Sequence, residues 1–216
     1  MDDKDYLRFL HSLFEFNDNK PSSNFNHYAT NHTIESRAEK TKSGRSGKIP
    51  LVDILAFTLM PNHYHLLVRQ KEDGGISKFI HKLATGYTLH INDKYNRSGA
   101  LFQGKFKAIL IENHAQLLYI PNYIHLNPLA LQNYGGRTSI VLEDQIAFLE
   151  KYRWSSLPDY MGIKNFPSLS QRGFLLDLFG GEKKYKQEII DWIQEEKQSS
   201  KKGNSINKIL LIDAEK

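Results

Sequence analysis

The run Leu51-Val52-Asp53-Ile54-Leu55-Ala56-Phe57-Thr58-Leu59 is followed by Met60-Pro61-Asn62 and then by His63-Tyr64-His65-Leu66-Leu67-Val68-Arg69. The first run is rich in branched residues and suits a strand. Met60-Pro61-Asn62 is a turn signal, so 51–69 predicts a β-hairpin. Side chains two apart on a strand share a face. His63 and His65 therefore project together, while Tyr64, Leu66 and Val68 face the other way and can fill a core. Two adjacent imidazoles can hold one divalent cation. In a chain with nine histidines, a His-x-His pair without function is the competing reading.

Outward from the hairpin, helical periodicity dominates. Tyr6, Leu7, Phe9, Leu10, Leu13 and Phe14 give residues 3–16 an apolar stripe, with acidic residues at the positive end. Residues 17–49 are rich in Asn, Ser, Lys and Gly and predict a long polar loop. Ile76, Phe79, Ile80, Leu83, Tyr87 and Ile91 predict a helix over 75–95, broken by Asn96-Arg97-Ser98-Gly99. Leu101–Ile111 reads as a short extended basic stretch. Residues 113–127 have a helical pattern interrupted by Pro121, where a helix can restart. Pro128 disfavours helical geometry at Asn127 and places it at a helix end. Further helices are predicted over 143–151 and within 170–197, then a polar linker over 198–207. Lys208-Ile209-Leu210-Leu211-Ile212 could be a terminal strand.

The chain has 216 residues, 40% hydrophobic and 25% charged, enough for one ordinary domain or one with appendages. No apolar run approaches the length of a membrane span. The acidic start, Met1-Asp2-Asp3-Lys4-Asp5, is unlike a signal peptide. These features predict a cytoplasmic protein. With no cysteine there is no disulfide, thiolate metal site or cysteine nucleophile, so any metal must be held by nitrogen and oxygen. The net charge of +5 permits an anionic partner without requiring one. Twelve Phe and eleven Tyr suit base stacking on single strands, though composition alone favours a well-filled core.

Two further segments could carry chemistry. In Tyr123-Ile124-His125-Leu126-Asn127-Pro128, Tyr123 and Asn127 stand one turn apart on one helical face. That spacing could present a phenol beside an amide ligand, or could be a core tyrosine followed by a capping asparagine. His125 lies on another face and reads as structural, with ligation in reserve. In Asn96–Lys107, Arg97, Lys105 and Lys107 could contact phosphates, and Phe102 or Phe106 could stack on a base. Gly99 and Gly104 would permit close backbone approach. The alternative is a solvated turn and an edge strand protected by its lysines.

Taken in order, these segments resemble a known family. Met60-Pro61-Asn62-His63-Tyr64-His65-Leu66-Leu67 is similar to the His-hydrophobic-His motif of the HUH single-strand endonucleases. Gly99-Ala100-Leu101-Phe102-Gln103-Gly104-Lys105-Phe106-Lys107 and Tyr123-Ile124-His125-Leu126-Asn127-Pro128 resemble later signatures of the REP-associated tyrosine transposase branch. Tyr152-Arg153-Trp154-Ser155-Ser156, with Tyr160 and Gly162, resembles its C-terminal element.

The resemblance implies an α+β, ferredoxin-like antiparallel sheet with flanking helices. It implies a catalytic domain over 1–135, a helical extension over 136–197, and a linker and terminal segment over 198–216. It also implies a Mg²⁺- or Mn²⁺-dependent transposase acting on hairpin-bearing single-stranded DNA. His63, His65 and Asn127 would hold the metal, and Tyr123 would form a 5′-phosphotyrosine. Family members act as monomers or dimers, so a homodimer is compatible. The chain departs from the pattern in three places: it starts at the first helix without the usual preceding strand, its 17–49 loop is long, and Pro121 precedes Tyr123. Residues 208–212 are the spare strand that could fill the sheet. The rival readings are a degenerate transposase that grips hairpin DNA without cutting, and a metal-dependent hydrolase without a covalent tyrosine.

Overall fold

The computed structural model describes residues 2–20, 47–133 and 141–201, with side chains to Glu195. The spare strand at 208–212, residues 202–207 and most of the 17–49 loop lie outside the described residues; residues 198–201, expected to begin a polar linker, are instead the end of the last helix. The chain is α+β: a two-stranded antiparallel sheet flanked by helices, with a helical C-terminal region. The described residues form two compact units. Residues up to Asp53 with Val68–Lys105 make one; Ile54–Leu67 with the residues from Phe106 onward make the other. The hairpin contributes its open end to the first and its turn to the second.

In the first unit, helix α1 (Asp3–Phe16) packs on α2 (Gly75–Lys94). The predicted stripes are the buried faces: Phe9, Leu10 and Leu13 from α1, and Phe79, Ile80, Leu83, Tyr87 and Ile91 from α2. Phe9 meets Tyr87 edge to face, with ring centroids 4.9 Å apart. The start of α1 is closed by reciprocal side-chain bonds between Asp2 and Asp5. Asp5 is fully buried and accepts from Lys94 at 2.6 Å and from the Tyr95 hydroxyl at 2.7 Å. After α1, the Asn17 side chain accepts from the Leu51 and Val52 amides and donates to the Val52 carbonyl, which fixes where the hairpin begins.

The hairpin is β1 (Val52–Leu59) and β2 (Tyr64–Gln70). All eight residues of β1 are buried, which fits its nearly unbroken apolar run. Asp53 is the charged exception, and it is paired with Arg69 at 2.8 Å. Beyond α2, Asn96 and Gly99 both take positive φ, 51° and 89°, and end the helix as expected. Gly104 is also left-handed. A Cβ at Gly99 or Gly104 would meet nothing within 4 Å of the protein, so within the fold the positive φ is what calls for glycine there. Residues 103–112 form neither helix nor strand.

In the second unit, α3 (His114–Leu126) runs unbroken through Pro121, where the sequence predicts an interruption. Pro121 removes one amide, so the Leu117 carbonyl has no helical donor. The flanking turns persist because Ile120, Pro121 and Ile124 are buried in the core. Asn127 stands at the end of α3, but with the helical dihedrals that Pro128 is expected to disfavour; they lead into a 3₁₀ turn over Asn127–Leu129 and then α4 (Ala130–Asn133). The rest comprises α5 (Leu142–Lys151), α6 (Leu157–Tyr160), α7 (Gly173–Phe179) and α8 (Glu182–Lys201). Left-handed Gly180 and Gly181 separate the last two.

The Trp154-Ser155-Ser156 segment lies along β1. The Leu59 amide donates to the Trp154 carbonyl at 2.8 Å, the Ser156 amide donates to the Phe57 carbonyl at 3.0 Å, and Thr58 and Ser155 form an antiparallel bridge. Tyr152 and Tyr160 donate their hydroxyls to the Leu59 and Leu55 carbonyls, each at 2.6 Å. This segment therefore supplies backbone partners at the edge of β1, satisfying groups that would be costly to bury unpaired.

Candidate active site

The hairpin turn brings the His-x-His pair together as the strand spacing predicts. His65 lies on β2 and is 2% exposed, and His63 precedes the strand and is half-buried. Their Nε2 atoms are 3.1 Å apart. Nδ1 of His63 bonds to Asn62 Oδ1 at 2.8 Å. An amide oxygen only accepts, so Nδ1 carries the proton and the His63 Nε2 lone pair faces His65. Asn62 thus sets the tautomer and tilt of His63, the usual duty of an outer partner to a metal-binding imidazole. In the sequence, Asn62 is a turn residue inside the Met60–Leu67 motif, with no signal of its bond to His63.

Tyr123 projects from α3 towards this pair. Its ring meets His65 edge-on at a centroid distance of 5.7 Å and 79°. It also stacks with Tyr119, one turn earlier, at 6.4 Å and 21°. Tyr119 in turn meets Trp192 of α8 at 4.8 Å. Tyr123 is half-buried, so the ring has two aromatic neighbours yet is not sealed in the core. Asn127 is also half-buried and follows one turn later, its amide donating to the Tyr123 carbonyl. Neither Tyr119 nor Trp192 stood out in the sequence. The i, i+4 spacing of Tyr119 and Tyr123 was the available signal for the first; α8 lies too far along the chain to offer one for the second.

His125 faces the opposite way and is fully buried. Its Nδ1 bonds to the Tyr185 hydroxyl and its Nε2 to Ser156 Oγ, each at 2.7 Å. Burial pushes its pKa down to about 3, so the ring is neutral and has one donor and one acceptor. Both nitrogens are committed inside the core, which withdraws His125 from its reserve role as a ligand.

Of the candidate DNA contacts, Arg97, Phe102 and Lys105 belong to the first unit and Lys107 to the second. Arg97, Lys105 and Lys107 are exposed. Phe102 is half-buried, with its ring 6.4 Å from that of Tyr87.

The fold and the site together define a hairpin-and-helix protein that sets an imidazole pair beside a phenol. A family model described as "Transposase IS200 like" matches residues 11–127, more than half of the chain, and the chain belongs to the IS200-like transposase family. With membership comes the role of a transposase that acts on DNA. No curated protein and no solved structure matches the chain. Among the described residues, no helix is long and apolar enough to cross a membrane.

Proposed function

We propose that this protein cuts and rejoins hairpin-bearing single-stranded DNA through a covalent link to Tyr123, with a divalent cation, Mg²⁺ or Mn²⁺, held by His63, His65 and Asn127. The observation that carries the reading is the convergence of the two Nε2 atoms, 3.1 Å apart, beside the Tyr123 ring.

The donor set fits such a cation. Two ligands about 2.1 Å from an ion in neighbouring octahedral positions lie about 3 Å apart, which is the Nε2 separation observed. Two imidazole nitrogens and an amide oxygen match the nitrogen and oxygen preference of these ions. His65 can vacate Nε2 by carrying its proton on Nδ1. The bound cation would polarise the scissile phosphate and offset the charge that develops on it.

The chain's own residues would do the rest. The Tyr123 oxygen attacks phosphorus and loses its proton; the P–O3′ bond breaks, and the departing oxygen takes up a proton as a 3′-hydroxyl. The new phosphotyrosine bond conserves the energy of the phosphodiester, so a 3′-hydroxyl can later attack it and release the tyrosine without ATP. Tyr119 and His65 brace the ring and limit its rotamers, which shortens the search for an attacking geometry.

The test is cleavage of single-stranded hairpin oligonucleotides, drawn from the DNA flanking the gene, in Mn²⁺. Replacing both imidazoles, His63→Ala with His65→Ala, should lower cleavage at least about a thousandfold, the scale of several kcal/mol of lost charge stabilisation. Undiminished cutting by that variant would overturn the assignment.

A further inference from the structure

We propose that His125 is a positioning residue that sets where the Tyr123 phenol stands relative to the His63–His65 pair, by tying α3 to β1 through Ser156 and to α8 through Tyr185. The inference rests on the reading of Tyr123 as nucleophile and adds a residue that never meets DNA.

The hydrogen-bond accounting gives the cluster a single direction. Ser156 Oγ accepts from the Phe57 amide at 2.9 Å and donates to the Phe57 carbonyl at 3.2 Å. Oγ could also turn its proton to Nε2 at 2.7 Å; what selects the direction is Tyr185, whose buried hydroxyl finds an acceptor in Nδ1 when Nε2 carries the imidazole proton and donates to Oγ. Protons run from Tyr185 to His125, from His125 to Ser156 and from Ser156 to Phe57. Every member is satisfied, and networks of this kind fix one arrangement of a core. Tyr160 and Tyr185 pack against the imidazole at 5.0 and 5.7 Å and hold its plane.

The reach of this clamp follows from helix geometry. Residues two apart on a helix point to nearly opposite sides. His125 therefore fixes the inner face of α3 while Tyr123 occupies the outer face. A phenol tip stands about 8 Å from the helix axis, so a roll of about 10° moves it about 1.4 Å. A misplacement of about 1 Å can cost roughly a hundredfold in rate. The other end of the clamp is Phe57 on β1, the strand that leads through Met60-Pro61-Asn62 to His63 and His65. Nucleophile and imidazole pair are thus referred to one strand.

The test is single-turnover formation of the protein–DNA adduct. Protein in excess is mixed with a labelled single-stranded hairpin oligonucleotide and Mn²⁺, and adduct is followed on a denaturing gel. Rate constant and amplitude are read separately, for wild type, His125→Phe and Tyr185→Phe. The variants should show rate constants lower by at least about tenfold, with amplitude and oligonucleotide Kd within about twofold of wild type. A merely structural role would reduce amplitude, the share of folded molecules, and leave the rate constant alone; that result overturns the inference. So does a fall in rate and affinity together. Tyr185→Phe keeps the ring and its packing, and carries the test if His125→Phe does not fold. A wild type that forms no adduct overturns the parent reading and this inference with it. A competent wild type with unchanged variant rates overturns this inference alone.

Discussion

Two clusters of the same residue type, in the same unit, have opposite characters. At the hairpin turn, His63 and His65 aim two nitrogens at one point and are steadied by Asn62, and one ring is half-open. In the core, His125 spends both nitrogens on Tyr185 and Ser156 and lies beyond the reach of water. Histidine chemistry here is decided by the partners of the ring nitrogens: sequence neighbours at the turn, and residues 31 and 60 positions away in the core. The first cluster leaves one ring partly open to solvent; the second has both ring nitrogens bonded inside the core.

That contrast can be broken most directly by comparing stability. His63→Ala should shift unfolding free energy by no more than about 1 kcal/mol, as expected for a half-exposed side chain. His125→Ala should cost about 4 kcal/mol, from a cavity plus two buried hydroxyls left with fewer partners. Urea denaturation reads both. Equal costs would erase the distinction between the clusters.

A third cluster, in the first unit, sharpens the comparison by using charge in place of neutral hydrogen bonds. Burial alone would raise the Asp5 carboxyl, yet the bonds from Lys94, Tyr95 and the Asp2 amide outweigh it and hold its pKa below the ordinary carboxylate value. Asp5→Asn should therefore cost about 3 kcal/mol near neutral pH, as removal of one partner of a buried pair does. The sign with pH follows from linkage. A lowered folded pKa means that the unfolded chain binds more protons as acid is added. The contribution is complete above the ordinary carboxylate range and is lost as pH falls through the folded value. Wild type should lose more stability than Asp5→Asn between about pH 6 and about pH 3, measured by urea midpoints at each pH.

The smallest expected effect is at Asn62. Asn62→Ala leaves both imidazoles in place but frees the His63 ring to rotate and change tautomer. Mn²⁺ affinity, measured by titration calorimetry, should fall about tenfold, or about 1.4 kcal/mol. An unchanged affinity would show that the turn holds His63 without help.

The hairpin, α1, α2 and the imidazole pair were legible because each depends on local pattern: branched runs, stripes at helical spacing, and a two-residue strand period. Pro128 pointed to the place where α3 ends, but not to the helical dihedrals that Asn127 keeps there. What was not legible depends on partners far apart in sequence. Pro121 reads as a break, but burial of Ile120 and Ile124 carries the helix past it. Trp154-Ser155-Ser156 reads as a motif, but its work as an edge partner of β1 appears only when the two segments meet. The bond between Tyr185 and His125 has no local signal, because its two ends are 60 residues apart.

The most direct measurement is the identity of the residue that becomes attached to DNA. Wild type and Tyr123→Phe are incubated with labelled single-stranded hairpin oligonucleotide and Mn²⁺, then digested and sequenced by mass spectrometry. The account predicts a 5′-phosphorylated nucleotide on Tyr123 in the wild type, none in Tyr123→Phe, and oligonucleotide binding within about twofold in both. An adduct of equal yield in Tyr123→Phe, or one mapped to another residue, would contradict it.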